Sequence, residues 1–299
     1  MRKSLLALCA LLLFSAALLF AQYDEKKSEF TILGGYGLSS LNGVSNYSDT
    51  WNAFYVSPFN QAAAISLANK NTFTLGASFA YFFTPNVGIQ LGGAYFSPKA
   101  DVTSSWSFNW TATTSQSDSQ SGDFPATQAK MTSIPLCLNL IGRYDMGSVS
   151  IFASAGPAIY FNKFNADAYS ILGGSSIWYS WQWLDYFQIP VTIPDTSWTG
   201  FGFDAGLGFD IKFSPSVAFT VEGRYFYCPS KDFSWAWVSG TYSGQPYYYD
   251  GRAAGFTWFD NWIFADSDLN GAGGPASKTT TLTVKPSFFS ISGGFKFYF

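Results

Sequence analysis

The chain has 299 residues, of which 20% are aromatic and only 12% are charged, and its formal net charge is −3. The charged share is about half of that in an ordinary globular protein, and the acidic balance argues against a nucleic-acid partner. The sequence contains no histidine, the usual general acid or base near neutral pH, so we predict that the protein is not an enzyme.

The N-terminus has the three parts of an export signal. Arg2 and Lys3 precede an apolar run over residues 5–20, which ends at the small residue Ala21 and is followed by charged residues. This order predicts a signal peptide over residues 1–21 and a mature domain over residues 22–299. Beyond the signal, no apolar run reaches the roughly 18 residues that a membrane-spanning helix needs, which excludes helical spans.

Eight segments of the mature chain alternate apolar and small or polar residues with a period of two, the pattern of a β-strand. Short segments containing Pro, Gly or Ser at residues 84–86, 145–148 and 214–216 join three pairs of them, and long connections join the others. The predicted strands cover residues 30–38, 73–83, 87–95, 134–143, 149–155, 201–213, 217–225 and 287–299.

The long connections leave some alternatives open. A short helix is predicted over residues 60–69. The last connection has room for an extra hairpin between residues 233–238 and 245–259, which would raise the number of strands to ten. Because long structureless loops are uncommon in compact proteins, we expect the strands themselves to continue into the connections.

The last segment, residues 287–299, places Phe289, Ile291, Phe295, Phe297 and Phe299 on one face. The opposite face carries small or polar residues. A soluble protein would bury the apolar face in a core, whereas a membrane barrel presents its apolar face to lipid and a wetter face to its interior. The terminal strand therefore favours a membrane barrel.

This terminal strand resembles that of the bacterial outer-membrane β-barrels, in particular the OmpA-, OmpX- and OmpW-like barrels. The resemblance implies an all-β, eight-stranded antiparallel up-and-down barrel in the bacterial outer membrane. It also implies four long extracellular loops, three short periplasmic turns and both termini in the periplasm. Phe295, Phe297 and Phe299 match the signal that the barrel-assembly machinery reads in such proteins, and outer-membrane lipid would be the surrounding partner.

Seven charged residues lie on the predicted interior faces, with near balance between the two signs. Unpaired charges away from water are costly, so near balance predicts pairing across the lumen, as a structural plug or as an ion-selective constriction. An eight-stranded barrel is narrow enough for side chains to fill, which favours the plug. The seven are Arg143, Asp204, Asp210, Lys212, Glu222, Arg224 and Lys296.

No metal site or cofactor is predicted. Cys137 and Cys228 remain after signal cleavage and are predicted to be buried free thiols in strands far apart around the barrel. Residues 266–271 match the first half of a calcium-binding loop, but Ser277 stands where a glutamate would be needed. We therefore interpret this segment as a solvated turn.

All 11 tryptophans lie in the four long connections or at their edges. Some belong to the interfacial girdle of a membrane protein, but five lie well inside the loops: Trp178, Trp181, Trp183, Trp237 and Trp258. These five are candidate ligand-binding residues for a surface glycan or an apolar ligand. The loops carry more acidic than basic residues, so stacking is expected to supply affinity there, and not attraction to lipopolysaccharide phosphates.

The sequence thus predicts an integral outer-membrane protein with a structural or surface-interaction role. The alternative is a narrow porin-like channel for small or apolar solutes, which an aromatic-rich mouth would suit.

Overall fold

A computed structural model describes most of the mature chain. The described residues are 27–39, 41, 43–51, 59–70, 72–111, 117–178, 181–237, 242–250, 253–256, 262–264 and 281–299. The predicted signal peptide, Trp258 and the calcium-like segment lie outside them. Among the described residues, no helix is long and apolar enough to cross a membrane.

The described regular structure consists of β-strands, which we number in chain order. They are β1 (Ser28–Ser39), β2 (Gly43–Trp51), β3 (Phe59–Lys70), β4 (Thr72–Phe82), β5 (Val87–Phe96), β6 (Lys99–Thr111), β7 (Ser117–Asp123), β8 (Thr127–Met146), β9 (Val149–Trp178), β10 (Trp181–Ser214), β11 (Val217–Tyr227), β12 (Lys231–Ser234), β13 (Ala236–Trp237), β14 (Tyr242–Asp250), β15 (Ala253–Phe256), β16 (Trp262–Phe264), β17 (Thr281–Val284) and β18 (Phe288–Tyr298).

Eight of these strands form a closed antiparallel ring in the order β1, β4, β5, β8, β9, β10, β11 and β18. The ring closes between the first and last strands, in a register that pairs Glu29 with Tyr298 and Ser39 with Phe288. Each predicted strand corresponds to one member of this ring. The eight-stranded barrel is therefore confirmed, and the ten-stranded alternative is wrong.

The three short turns lie at one end of the ring, together with Ser28 and Phe299, and we call this the turn end. Gly147 has φ of +82°, a left-handed conformation that a residue without Cβ adopts at little cost. In the last turn the Ser214 hydroxyl accepts hydrogen bonds from the backbone N–H groups of Ser216 and Val217, at 3.2 and 3.1 Å. We call the opposite end, where the long connections begin, the loop end.

The outer surface of the ring is apolar and the inside holds most of the polar side chains, as the alternation predicts. Phe201, Leu207 and Phe213 on β10 are each at least 67% exposed, whereas Asp204 and Asp210 on the same strand are fully buried. Neighbouring strands show the same division, as at Leu138, Leu140, Phe73 and Ile291. A strand that exposes its apolar face and buries its charges suits a lipid environment.

Three strands run far beyond this apolar band at the loop end, as expected. β8, β9 and β10 have 20, 30 and 34 residues, about two to three times the length that one bilayer crossing needs. β6 pairs with the loop-end part of β8, β3 pairs with β6, and β2 pairs with β3. The result is a sheet that continues from the barrel wall.

The predicted helix over residues 60–69 is wrong, because these residues belong to β3. Their three consecutive alanines favour a helix locally. Pairing with β2 on one side and β6 on the other overrides that preference, and it buries Ile65 and Leu67 on one face of the strand.

The predicted hairpin between residues 233–238 and 245–259 is also not formed in the described part of the chain. Phe233 lies in β12, which pairs with β17. β13 and β14 both pair with β10 instead, since the long extension of that strand offers a ladder for the last connection.

The loop-end sheet encloses its own apolar core. Phe164, Val191, Ile193, Phe233 and Trp235 are all at most 6% exposed and belong to one buried cluster, against which Trp198 packs. The Phe164 and Phe233 ring centroids are 5.2 Å apart, as are those of Trp198 and Phe233. An ordered apolar core therefore continues the barrel beyond its membrane band.

Candidate functional site in the barrel lumen

The middle of the lumen is organised around Arg224 on β11. Its guanidinium donates to the carboxylates of Asp204 and Glu222, to the Gln90 side-chain oxygen at 3.1 Å, and to the Ser154 hydroxyl at 2.8 Å. We call these five residues the arginine cluster. All are at least nine-tenths buried, so the charges are removed from bulk water and depend on each other.

Neutral side chains extend the arginine cluster across the barrel. Asn139 on β8 donates to Asp204 at 2.9 Å, and Gln90 donates to Ser78 on β4 at 3.1 Å. Six of the eight ring strands thus contribute one or more members. Such a network holds the wall strands at fixed distances from one another, since each hydrogen bond requires its partner in place.

Gly206 on β10 provides the space for this cluster. It pairs with Arg224 across the β10–β11 ladder. A Cβ at Gly206 would lie 2.5 Å from a Glu222 carboxylate oxygen and 3.0 Å from the Arg224 Nε. The alternation of glycine with larger residues on β10 therefore lets two long charged side chains lie flat against the wall.

A second charged layer lies nearer the turn end. Lys296 on β18 donates to Asp210 at 2.7 Å and approaches a Glu29 carboxylate oxygen at 3.5 Å. The other Glu29 oxygen pairs with Arg143. The Arg143 guanidinium also lies 4.3 Å from the centre of the Phe82 ring, a distance at which the ring face attracts a cation.

Lys212 and Asp145 complete this layer at the rim, with 3.0 Å between the ammonium and carboxylate atoms. Asp145 also lies 3.4 Å from Arg143. This turn-end layer therefore balances three basic residues against three acidic ones, and its members are Glu29, Arg143, Asp145, Asp210, Lys212 and Lys296.

All seven charged residues singled out in the sequence take part in these two layers. Two further members, Glu29 and Asp145, were missed. Glu29 lies one residue before the predicted first strand, but it shares the interior parity of Thr31 and Leu33. Starting that strand one residue earlier would have found it.

On the loop-end side of the arginine cluster, aromatic rings fill the lumen. The Phe288 ring is stacked between Phe96, with centroids 4.0 Å apart, and Phe226, with centroids 4.4 Å apart. A Cβ at Gly37 would lie 2.3 Å from the Phe96 ring, so this glycine makes room for the stack. Tyr160 is fully buried beside it. The predicted interior face of the terminal strand is small and polar, whereas this half of the lumen is apolar.

Cys137 and Cys228 are both buried and free, as predicted. The wall strands that carry or border them, β8 and β11, are far apart in the ring, as predicted, but both side chains belong to the same apolar cluster as the stacked rings. β8 and the end of β11 are distant in the wall, but a narrow barrel brings their interior side chains together. The thiols act as small apolar groups in this packing.

A small void lies against the arginine cluster in the described lumen. It measures about 40 Å³ and is lined by Glu222, Arg224, Cys137, Ser290 and Ser292 together with neighbouring small residues. A volume of this size is enough for about two or three water molecules. It is far smaller than the pockets of roughly 300 Å³ or more that bind small organic ligands.

The candidate ligand-binding tryptophans are not tested by these contacts. The backbones of Trp178, Trp181, Trp183 and Trp237 lie in β9, β10 and β13, but their side chains and the whole of Trp258 lie outside the described residues. Among the described residues, no group of three or more His, Cys, Asp or Glu side chains could hold a metal ion.

The sequence of the chain matches a known family. Residues 6–242 match the outer membrane protein beta-barrel domain. The chain belongs to this family. It is therefore a bacterial outer-membrane β-barrel protein, and a comparison with curated proteins found no match.

The chain is also similar, at low identity, to solved outer-membrane proteins. OprG from Pseudomonas aeruginosa is 14% identical, over 92% of this chain and 97% of that chain, with a TM-score of 0.43. Ail of Yersinia pestis, solved with the heparin analogue sucrose octasulfate, is 10% identical over 91% of this chain and 99% of that chain, with a TM-score of 0.31. The outer membrane protease OmpT from Escherichia coli is 11% identical over 90% of this chain and 97% of that chain, with a TM-score of 0.31. At these values no function is transferred from them.

Proposed function

We propose that this outer-membrane barrel has a structural and surface-interaction role, carried by its ordered loop end, and that its lumen does not conduct solutes. The observation that supports this most directly is the filling of the lumen along its axis. Two layers of ion pairs are followed by the Phe96, Phe288 and Phe226 stack, and then by the loop-end core. An apolar solute entering from the loop end would have to displace packed rings, at a cost of several kcal/mol.

The protein acts without catalysis in this proposal. The sequence has no histidine, and the lumen carboxylates of Asp204, Glu222 and Asp210 are occupied by arginine or lysine. These carboxylates are also buried, so a substrate in solution does not reach them. The charges therefore serve to hold the strands together.

The loop end faces outward and the turn end faces the periplasm in this proposal, which is the arrangement of short turns and long connections found in outer-membrane barrels. The export signal over residues 1–21 delivers the chain, and β18, with Phe295, Phe297 and Phe299 facing lipid, is read by the assembly machinery. A surface glycan or apolar ligand stacks on the loop tryptophans Trp178, Trp181, Trp183, Trp237 and Trp258.

Conductance across planar lipid bilayers tests the closed lumen. We expect the purified full chain to insert without steady channel currents, and vesicles containing it to take up small polar and apolar solutes no faster than empty vesicles. An open porin reconstituted in the same bilayers and vesicles is the positive control for conductance and uptake. Steady currents or solute uptake by the unmodified protein would favour the narrow channel instead.

Surface labelling tests the orientation. Both native cysteines are buried, so a single new cysteine can be labelled with little background. Ser121→Cys, at an exposed position on β7, should react with a membrane-impermeant maleimide on intact cells, whereas Ser148→Cys in the turn should react only after the outer membrane is opened. The reverse pattern contradicts the proposed orientation.

A further inference from the structure

Three lysines lie side by side on the outer face of the sheet at the loop end. Lys70 on β3 pairs directly with Lys99 on β6, and Lys99 pairs directly with Lys130 on β8. All three side chains are exposed. We call Lys70, Lys99 and Lys130 the lysine row. Lys130 in turn pairs with Asn165 on β9, so the row runs perpendicular to four adjacent strands.

This arrangement is unfavourable for the protein by itself. Residues directly opposite each other on antiparallel strands have Cβ atoms about 5 Å apart, and like charges in such pairs are destabilising. The charge of Lys70 is compensated by Asp101, whose carboxylate oxygen lies 2.6 Å from the Lys70 ammonium nitrogen. Among the described residues, however, no carboxylate oxygen lies within 4.0 Å of the Lys99 or Lys130 ammonium group.

The nearby carboxylates already have other partners. Asp195 pairs with Lys163, accepts a hydrogen bond from Asn165 at 2.8 Å and attracts the Lys130 ammonium group at longer range. Asp167 accepts one from the Thr192 hydroxyl at 2.8 Å. Two adjacent ammonium groups are thus left on the same outer face, available to an anion.

The height of the lysine row selects the kind of anion. On β9, the lipid-facing Phe161 is 48% exposed, and Asn165, the partner of Lys130, lies four residues beyond it. At about 3.3 Å per residue and a strand tilt of about 40°, Lys130 stands roughly 10 Å above the apolar band, and the height changes by about 3 Å from each lysine of the row to the next. Lysine side chains reach back towards the membrane surface, so their ammonium groups lie at the level of the lipid headgroups.

We propose that the lysine row binds the phosphate groups of the phosphorylated glycolipid in the outer leaflet of the outer membrane. The proposal rests on the orientation proposed above, which places the loop end in that leaflet. Lys99 and Lys130 contact phosphate oxygens directly, and Lys70, held by Asp101, borders the site. The lipid would thereby neutralise the cross-strand repulsion and fix the loop-end sheet on the membrane surface.

Native mass spectrometry of the detergent-solubilised full chain tests the site, with diphosphoryl lipid A as the probe. We expect Lys99→Gln combined with Lys130→Gln to weaken binding about 30-fold, because each lysine near an anionic lipid surface contributes about a fivefold effect. Lys99→Arg combined with Lys130→Arg should retain binding. Lys27→Gln, an exposed lysine at the turn end, is the matched control and should bind like the unmodified chain.

Two further probes distinguish the source of the phosphate. The dephosphorylated glycolipid should bind about 30-fold more weakly than the diphosphoryl form, and inorganic phosphate at the same concentration should not displace the lipid. The proposal is overturned if the double glutamine variant binds like the Lys27→Gln control, if the dephosphorylated glycolipid binds equally well, or if inorganic phosphate competes equally. The binding assay uses detergent-solubilised protein, whereas the conductance and labelling experiments use membranes. A negative binding result therefore overturns the lipid-binding proposal without changing the test of the proposed function.

Discussion

Replacing Arg224 is the most direct perturbation of the lumen. Its guanidinium donates to the carboxylates of Asp204 and Glu222. It also donates to two neutral side chains, those of Gln90 and Ser154. Arg224→Ala removes all four bonds and leaves two buried carboxylates close together with no counter-ion. We therefore expect the largest single-residue loss of stability among the lumen charges at this position.

The size of the loss follows from the burial of the partners. Breaking a buried ion pair by removing one partner costs about 3–5 kcal/mol, because the remaining charge is left without compensation. Because two carboxylates would be left without a counter-ion, the loss of stability would be larger than for a single pair. The void of about 40 Å³ beside Arg224 and the space left by its side chain admit water, which lowers it. We expect a net loss of about 3–5 kcal/mol in the free energy of unfolding.

Urea unfolding in lipid vesicles, followed by tryptophan fluorescence, measures this loss, and the shift between folded and heat-denatured bands on a gel gives an independent midpoint. Arg224→Lys keeps the charge but loses the planar fork, so an intermediate loss is expected. Lys163→Gln removes an exposed ion pair and should cost less than about 1 kcal/mol. If Arg224→Ala unfolds at the same urea concentration as Lys163→Gln, the arginine cluster does not hold the barrel together.

Three further predictions concern packing, titration and close backbone approach. Phe288→Ala should lower the free energy of unfolding by about 3–5 kcal/mol in the same urea assay, because a fully buried ring between two others leaves a cavity; a loss below about 1 kcal/mol would contradict the stack. The Lys163 ammonium lowers the pKa of the Asp195 carboxyl mainly by donating a hydrogen bond to it. A carboxyl whose pKa is lower in the folded state stabilises the fold above its unfolded pKa of about 4, and this contribution is lost as the pH falls through the folded value. Lys163→Met should therefore raise the Asp195 pKa in a carboxyl NMR titration, and an unchanged value would count against the pair. Gly294→Ala should destabilise the barrel strongly in urea, since its Cβ would lie 1.8 Å from a backbone carbonyl oxygen of the facing strand, whereas Gly142→Ala on the open lipid face should be nearly neutral.

The barrel ring could be predicted from the sequence because its signals are local. Period-two alternation and the short turns before Val87, Val149 and Val217 depend only on residues close in the chain. Each predicted strand accordingly has its counterpart in the ring, with the same face towards lipid. The inward parity of Asp204 and Arg224 followed from the same alternation.

The partners inside the lumen could be predicted only in part. Alternation tells which side chains point inward, but the distance between them depends on register and on which strands lie opposite across the lumen. Glu29 was missed because the strand boundary was placed one residue late. The stacking of Phe96 on Phe288 was missed because these strands lie on opposite sides of β1 and β4 in the ring.

The loop end was the least predictable part. The alanines of β3 favour a helix in isolation, and only the neighbouring β2 and β6 make them a strand. Lys70, Lys99 and Lys130 are about 30 residues apart in the sequence. The net negative charge of the loops argued against phosphate binding. A net charge over all loops, however, does not show which charged residues strand pairing places side by side.

The division of chemistry along the barrel axis connects these observations. Charged side chains fill the turn half of the lumen, where surrounding strands carry glycine and small residues that leave room for long side chains such as Arg224 and Lys296. Apolar side chains fill the other half and continue into the loop-end core. β9 and β10 pair from Val149 and Ile211 at the turn end to Trp178 and Trp181 at the far tip, interrupted by a single irregularity between Ile193 and Thr196. The loop-end sheet is therefore an extension of the barrel wall. A substitution that disrupts the arginine cluster should therefore also destabilise the β9–β10 pairing at the loop end. A substitution in the lysine row should change the outer face without disturbing the core behind it.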